Sequence, residues 1–117
     1  MSQLRVERVQ ELIKQELSKI ILSEMKDPRI GFVTVTQVKM SGDLREGEIF
    51  VSLMGTDEEK AATLKALNHS LGYLRTEIGK RVRLRHTPEF HLKEDDSLDY
   101  GANIQKLLLQ IEREKQS

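Results

Sequence analysis

Lys80, Arg81, Arg83 and Arg85 are the residues of this sequence with the clearest chemistry. They stand in the run Gly79-Lys80-Arg81-Val82-Arg83-Leu84-Arg85-His86, basic and apolar by turns. A guanidinium is a rigid fork of donors that matches two oxygens of a phosphate, so several in a row suit a phosphodiester backbone. If the run is a strand, Arg81, Arg83 and Arg85 point to one side, because successive side chains alternate. The competing reading is an edge strand guarded by charge against aggregation. The helical stretch just upstream, which carries Arg75, favours nucleic acid instead. Arg5, Arg8 and Lys19 form a second set. With Gln15 they share one flank of a helical repeat at about 100° per residue. Such a row is more often a solvated face than a binding one. Arg29, just after Asp27-Pro28, joins that second set.

Other chemistries find little support. There is no G-x-x-x-x-G-K-S/T and no G-x-G-x-x-G to cradle phosphates, and no H-E-x-x-H to hold zinc. The histidines are His69, His86 and His91. With Asp95 or Asp96 they could be drawn as a metal set, but the spacing matches no ligand pattern, and ordinary surface histidines fit better. Ser41, Ser70 and Ser97 have no evident base and no nucleophile elbow. The absence of cysteine excludes disulfides and thiolate zinc sites and suits a reducing cytosol. The expectation is a chain with no catalytic residue, no metal and no cofactor.

The positions of these residues depend on the elements that carry them. Hydrophobic residues make up 38% of the 117 and charged residues 32%, with formal net charge zero. That balance suits one polar domain, spanning 1–117, with a modest core. It argues against coating nucleic acid through bulk charge while leaving room for a local patch. No apolar run approaches the length needed to cross a bilayer, and Met1 to Gln10 is amphipathic and carries an acid, Glu7, unlike a signal peptide. Aromatic content is 4%, too little for a base-stacking platform.

Val6, Val9, Ile13, Leu17 and Ile20 mark the buried stripe of a first helix, roughly Leu4 to Met25, ended by Asp27-Pro28 and Gly31. Phe32 to Met40 is rich in β-branched residues and reads as a strand. Ser41-Gly42-Asp43 turns the chain into a second, antiparallel strand, Glu48 to Leu53. Thr56 and Glu59 make a capping box that starts a long helical repeat through Leu64, Leu67, Leu71, Leu74 and Ile78. Asn68 to Gly72 interrupts it with poor helix formers, so a bend is expected at Ser70, Leu71 and Gly72, with Gly72 allowing a close approach. A third strand lies near Phe90. Ile104, Leu107, Leu108 and Ile111 mark a last helix, roughly Leu98 to Glu114, and 113–117 should fray. The order α-β-β-α-(kink)-α-β-α predicts an α+β domain, a three-stranded sheet with helices on one face.

The whole chain resembles the bacterial ribosome-binding factor A family. The resemblance rests on Leu4-Arg5-Val6-Glu7-Arg8-Val9 with Ile13, on Asp27-Pro28-Arg29, and on Val33-Thr34-Val35-Thr36-x-Val38. It continues in Leu71-Gly72-Tyr73-Leu74-Arg75, in Gly79-Lys80-x-Val82-Arg83-Leu84-Arg85-x-x-Pro88-Glu89, and in Asp96-Ser97. It implies a type II KH-like fold in which an Ala-x-Gly kink replaces the G-x-x-G loop of KH domains that clamp single strands. Here Ser70 stands for the alanine. It also implies a non-catalytic assembly factor. Its partners would be the free 30S small subunit and 16S rRNA, and it would support late maturation and 5′-end processing of the 16S precursor. It would matter most in the cold, and would work in the cytoplasm as a monomer without a membrane. Two rivals come from other classes: a generic KH-type module for single-stranded RNA, and a small metal-dependent ribonuclease using His86, His91, Asp95 and Asp96.

Overall fold

A computed structural model describes residues 2–25 and 27–95. The order is α1 (Gln3–Ser23), β1 (Val33–Met40), β2 (Glu46–Leu53), α2 (Asp57–His69), α3 (Leu71–Arg81) and β3 (Glu89–Glu94). The expected last helix, the frayed end and Asp96-Ser97 lie outside the described residues.

The sheet order is β1-β2-β3. β1 and β2 are the expected antiparallel hairpin, while β3 runs parallel to β2, with Glu89 opposite Glu46. A parallel partner needs a crossover, and the α2–α3 pair supplies it. Val33 and Val35 are odd-numbered and Val38 and Met40 even-numbered, yet all four are buried. A bulge between Val35 and Gln37 makes this possible, because one extra residue changes which parity faces the core. Thr36 fills the irregularity, its hydroxyl donating to the Asp95 carboxylate at 2.6 Å.

One apolar cluster holds the layers together. The α1 stripe of Val6, Ile13, Leu17, Ile20 and Ile21 meets the buried strand residues and Leu67, Leu74 and Ile78 of the crossover helices; Val9, expected in the buried stripe, is only partly buried against it. The helices thus cover one face of an α+β sheet, the type II KH-like arrangement expected from the sequence.

Thr56 caps α2 as its spacing with Glu59 predicts. The Glu59 N–H donates to the Thr56 hydroxyl at 3.1 Å, and the Thr56 N–H donates to the Glu59 carboxylate at 3.4 Å. The break in the long repeat falls on Ser70, at φ −94° and ψ 3°. A ψ near zero leaves the helical region and turns the axis. Ser70 still donates to the carbonyls of Ala66 and Leu67, and its own carbonyl accepts from Leu74 at 2.9 Å. The bend therefore strands few backbone groups. The expected close approach at Gly72 is absent: a β-carbon there would meet nothing within 4 Å. The tight glycine of the crossover is Gly79, where an added β-carbon would lie 3.1 Å from the Thr87 hydroxyl. It lets the segment after α3 fold back over the helix.

Candidate nucleic-acid interface

The basic run is not a strand. Lys80 and Arg81 form the last turn of α3, Val82 is its C-cap, and residues 83–88 are loop. The sheet explains this. β2 begins at Glu46, which pairs with Glu89, so residues before Glu89 lie beyond the end of the strand they would have to join. Val82 and Pro88 are buried while Arg83, Arg85 and His86 are exposed. The alternation is that of an extended loop lying on a core, a pattern that period-two reading cannot separate from a strand. The comb of three aligned guanidiniums is thereby corrected.

The cations of the run have different partners. Arg81 turns back onto α1 and α3. It is hydrogen-bonded to Glu24 and lies 3.6 Å from both Glu16 and Glu77. The Tyr73 hydroxyl donates to the other Glu24 oxygen at 3.1 Å. The bond from Arg81 holds the Glu24 carboxyl below its ordinary value, and that same bond raises the guanidinium. Arg81 is thus a tie between α1 and the end of α3. Arg75 is spent in a similar way. Its Nε donates to the Pro88 carbonyl and its Nη2 to the Thr87 carbonyl, each at 3.1 Å, with Glu89 at 3.4 Å. It anchors the loop from below. Lys80 pairs with Glu77 at 3.4 Å and Lys19 with Glu16 at 3.2 Å.

Arg29 is held locally. Its Nη2 lies 2.7 Å from Asp27 Oδ2, its Nε 3.1 Å from Oδ1, and its backbone N–H also donates to Oδ1 at 2.9 Å. The guanidinium bonds and the backbone N–H bring the Asp27 pKa down to about 2. A depressed folded value means that this interaction is complete above the ordinary aspartate range and fades as the pH falls toward about 2. A carbon-detected NMR titration should place the Asp27 carboxyl midpoint near that value, and Arg29→Ala should return it toward the ordinary range. An unchanged midpoint in the variant would show that Arg29 is not its cause.

Arg5, Arg8, Arg83 and Arg85 are exposed and make no ion pair among the described residues. Arg5 and Arg85, eighty positions apart in the sequence, line one cleft of about 220 Å³, and Arg45 from the β1–β2 turn lines it too. Arg8 follows one turn along α1 from Arg5. Lys19 does not join them: fourteen residues further on, it lies about 21 Å along the axis. Arg45 is the functional candidate that sequence reasoning missed. It sits in a turn with Asp43 4.0 Å away, and only the fold brings it beside Arg85. Among the described residues no three His, Asp or Glu side chains gather closely enough to hold a metal ion.

The family model for ribosome-binding factor A matches residues 5–108. The ribosome-binding factor A of Brevibacillus brevis is 52% identical over 114 residues, covering 97% of this chain and 94% of that one. The Halothermothrix orenii protein of the same name is 46% identical over 117 residues, covering 100% and 96%. The crystal structure of ribosome-binding factor A from Thermus thermophilus superposes with a TM-score of 0.68 at 25% identity, covering 76% of this chain and 93% of that one. Coordinates of the Thermus factor fitted into a cryo-EM map of its 30S complex give a TM-score of 0.61 at 26% identity, covering 73% and 89%. The profile match across nearly the whole described chain and the full-length likeness to these relatives agree with the fold and the order of the motifs: the chain belongs to the ribosome-binding factor A family.

Proposed function

We propose that the chain is a non-catalytic assembly factor that binds the free 30S small subunit through its 16S rRNA in the cytoplasm. In this reading it acts as a monomer, supports late maturation and 5′-end processing of the 16S precursor, and matters most in the cold. The observation that carries the reading is family membership, joined to a Thermus relative whose coordinates were fitted into a 30S complex. No described helix is long and apolar enough to cross a membrane.

The geometry gives the reading a mechanism. Arg83 and Arg85 on the loop after α3, with Arg5 and Arg8 on α1, supply phosphate contacts that no internal carboxylate neutralises. Arg75 and Arg81 hold the loop and helix that present them. Lys80, Lys19 and Arg29 are lesser contacts, each already paired within the chain. The bend at Ser70, Leu71 and Gly72 has no G-x-x-G, so a splayed single strand is not the favoured ligand. Positive charge and a fixed shape suit a folded RNA junction instead. Cooling stabilises wrong RNA helices, and a protein that binds the right junction more tightly shifts the population toward it by that difference in affinity.

Sedimentation tests the reading directly. Tagged protein in a lysate should travel with free 30S subunits at low salt and leave them as salt rises. Travel with whole ribosomes only, or with neither, would refute it. Precursor 16S RNA incubated with the protein and magnesium or manganese should stay uncut.

A further inference from the structure

Among the described residues, one other than glycine has a positive φ: Leu44, at 60°. L side chains resist this left-handed conformation, and residues held in it tend to cluster where a site is being shaped. A glycine stands two positions earlier, at Gly42, and is not the residue in that conformation. The turn around Leu44 is fixed by many bonds. Leu44 N–H donates to the Ser41 carbonyl at 2.9 Å, and Ser41 N–H to the Glu46 carbonyl at 2.8 Å. Asp43 Oδ1 accepts from the Ser41 hydroxyl at 2.8 Å and from the Arg45 N–H at 3.1 Å. The result is that the Leu44 side chain is 5% exposed and enters the core cluster, while Asp43 and Arg45 on either side of it remain exposed.

Leu44 and the half-buried Leu84 give the 220 Å³ cleft an apolar surface. Arg5, Arg45 and Arg85 line it with charge from three separate elements, and Asp43 and His86 complete the lining. We propose that this cleft seats one unstacked nucleotide of RNA, the phosphate among the three guanidiniums and the base against Leu44 and Leu84. The assignment rests on the RNA-binding reading above and names the kind of RNA feature read.

Size and chemistry favour this occupant together. The cleft is below the range of about 300–1,000 Å³ usual for drug-sized ligands, and far above the roughly 30 Å³ share of one water, which leaves room for a single base. Three guanidiniums against one carboxylate select an anion, and their forked donors match phosphate oxygens. A bare phosphate would leave the half-buried Leu84 uncovered; the flat face of a base would cover it. Asp43 as acceptor and His86 as donor or acceptor can meet the polar edge of the base. RNA presents such nucleotides at bulges and loops, where sequence-specific proteins take them up.

The test uses the full chain and two RNA hairpins with the same stem, one carrying a single unpaired nucleotide, followed by fluorescence anisotropy at one fixed salt concentration. The bulged hairpin should bind about tenfold more tightly, a difference of about 1.4 kcal/mol. That preference should vanish in Arg45→Ala and in Leu84→Ala, each checked for an unchanged circular dichroism spectrum. Arg83→Ala, outside the cleft, should weaken both hairpins equally. Equal binding of both hairpins by the unaltered protein, or a preference that survives both cleft substitutions, would overturn the nucleotide seat while leaving RNA binding standing. Binding of neither hairpin would remove the RNA reading together with the seat. Adenosine and guanosine monophosphates form the last arm. If either binds as tightly as the bulged hairpin and is lost in Arg45→Ala, the cleft serves a free nucleotide and the RNA assignment falls.

Discussion

Replacing Arg83 and Arg85 together by alanine should flatten the salt dependence of 30S binding by the share of two phosphate contacts. Each phosphate contact contributes about 0.7 to 0.9 to the slope of log affinity against log salt, so two contacts contribute about 1.4 to 1.8. Raising salt fourfold should therefore cost the unaltered protein about 7- to 12-fold more affinity than it costs the double variant. Both side chains are exposed and unpaired among the described residues, so stability should move by less than about 0.5 kcal/mol. The internal ties provide the contrast. Arg75 is committed to the Thr87 and Pro88 carbonyls. Arg75→Ala should lower affinity by loosening the loop, yet leave the slope almost unchanged. Titrations of labelled protein with purified subunits at several salt concentrations separate the two behaviours. A double variant that keeps the full slope would move the phosphate contacts elsewhere, to the flank of α1 that carries Arg5 and Arg8.

The difference between Arg75 and Arg83 was not legible in the sequence, and the reason is physical. Both are arginines beside one basic run, and their types predict the same chemistry. What separates them is whether a carbonyl or carboxylate lies within reach, and those partners come from other segments. Arg81 finds Glu24, fifty-seven residues earlier, because α1 and α3 pack side by side. Local patterns carried further where the determinant was local. The capping box at Thr56, the stripe of α1 and the hairpin of β1 and β2 are short-range features, and each formed as its residues dictate. The break at Ser70 was legible because poor helix formers interrupt a regular repeat. Its geometry was not, so the role given to Gly72 belongs to Gly79. The strand drawn through Arg81 to Arg85 failed because alternation records which side chains are covered, while a strand also needs a ladder partner. Arg45 escaped notice because a turn residue gains meaning only when the fold places it beside Arg85.

Leu74→Ala should have the largest effect on the fold, and through it on binding. Leu74 is fully buried in the cluster that joins α3 to the sheet and to α1. Its N–H also donates to the Ser70 carbonyl, so α3 starts from it at the bend. Truncating a buried leucine costs about 2–5 kcal/mol, through lost transfer free energy and the cavity left behind. A domain of this size has only about 5–15 kcal/mol in total. Thermal unfolding should therefore fall by about 10 °C or more. The loop bearing Arg83 and Arg85 hangs from the end of α3, so 30S binding should decline near physiological temperature and recover on cooling, as the folded fraction does. Gly72→Leu is the control at the same bend. Gly72 is exposed with open space around it, so that change should shift stability by no more than about 0.5 kcal/mol. Differential scanning calorimetry of the two variants decides the matter. If Gly72→Leu proves as costly as Leu74→Ala, the bend is crowded after all. If Leu74→Ala unfolds with the unaltered protein, α3 is not pinned to the core by this side chain, and its loop must be held by the Arg75 and Arg81 ties alone.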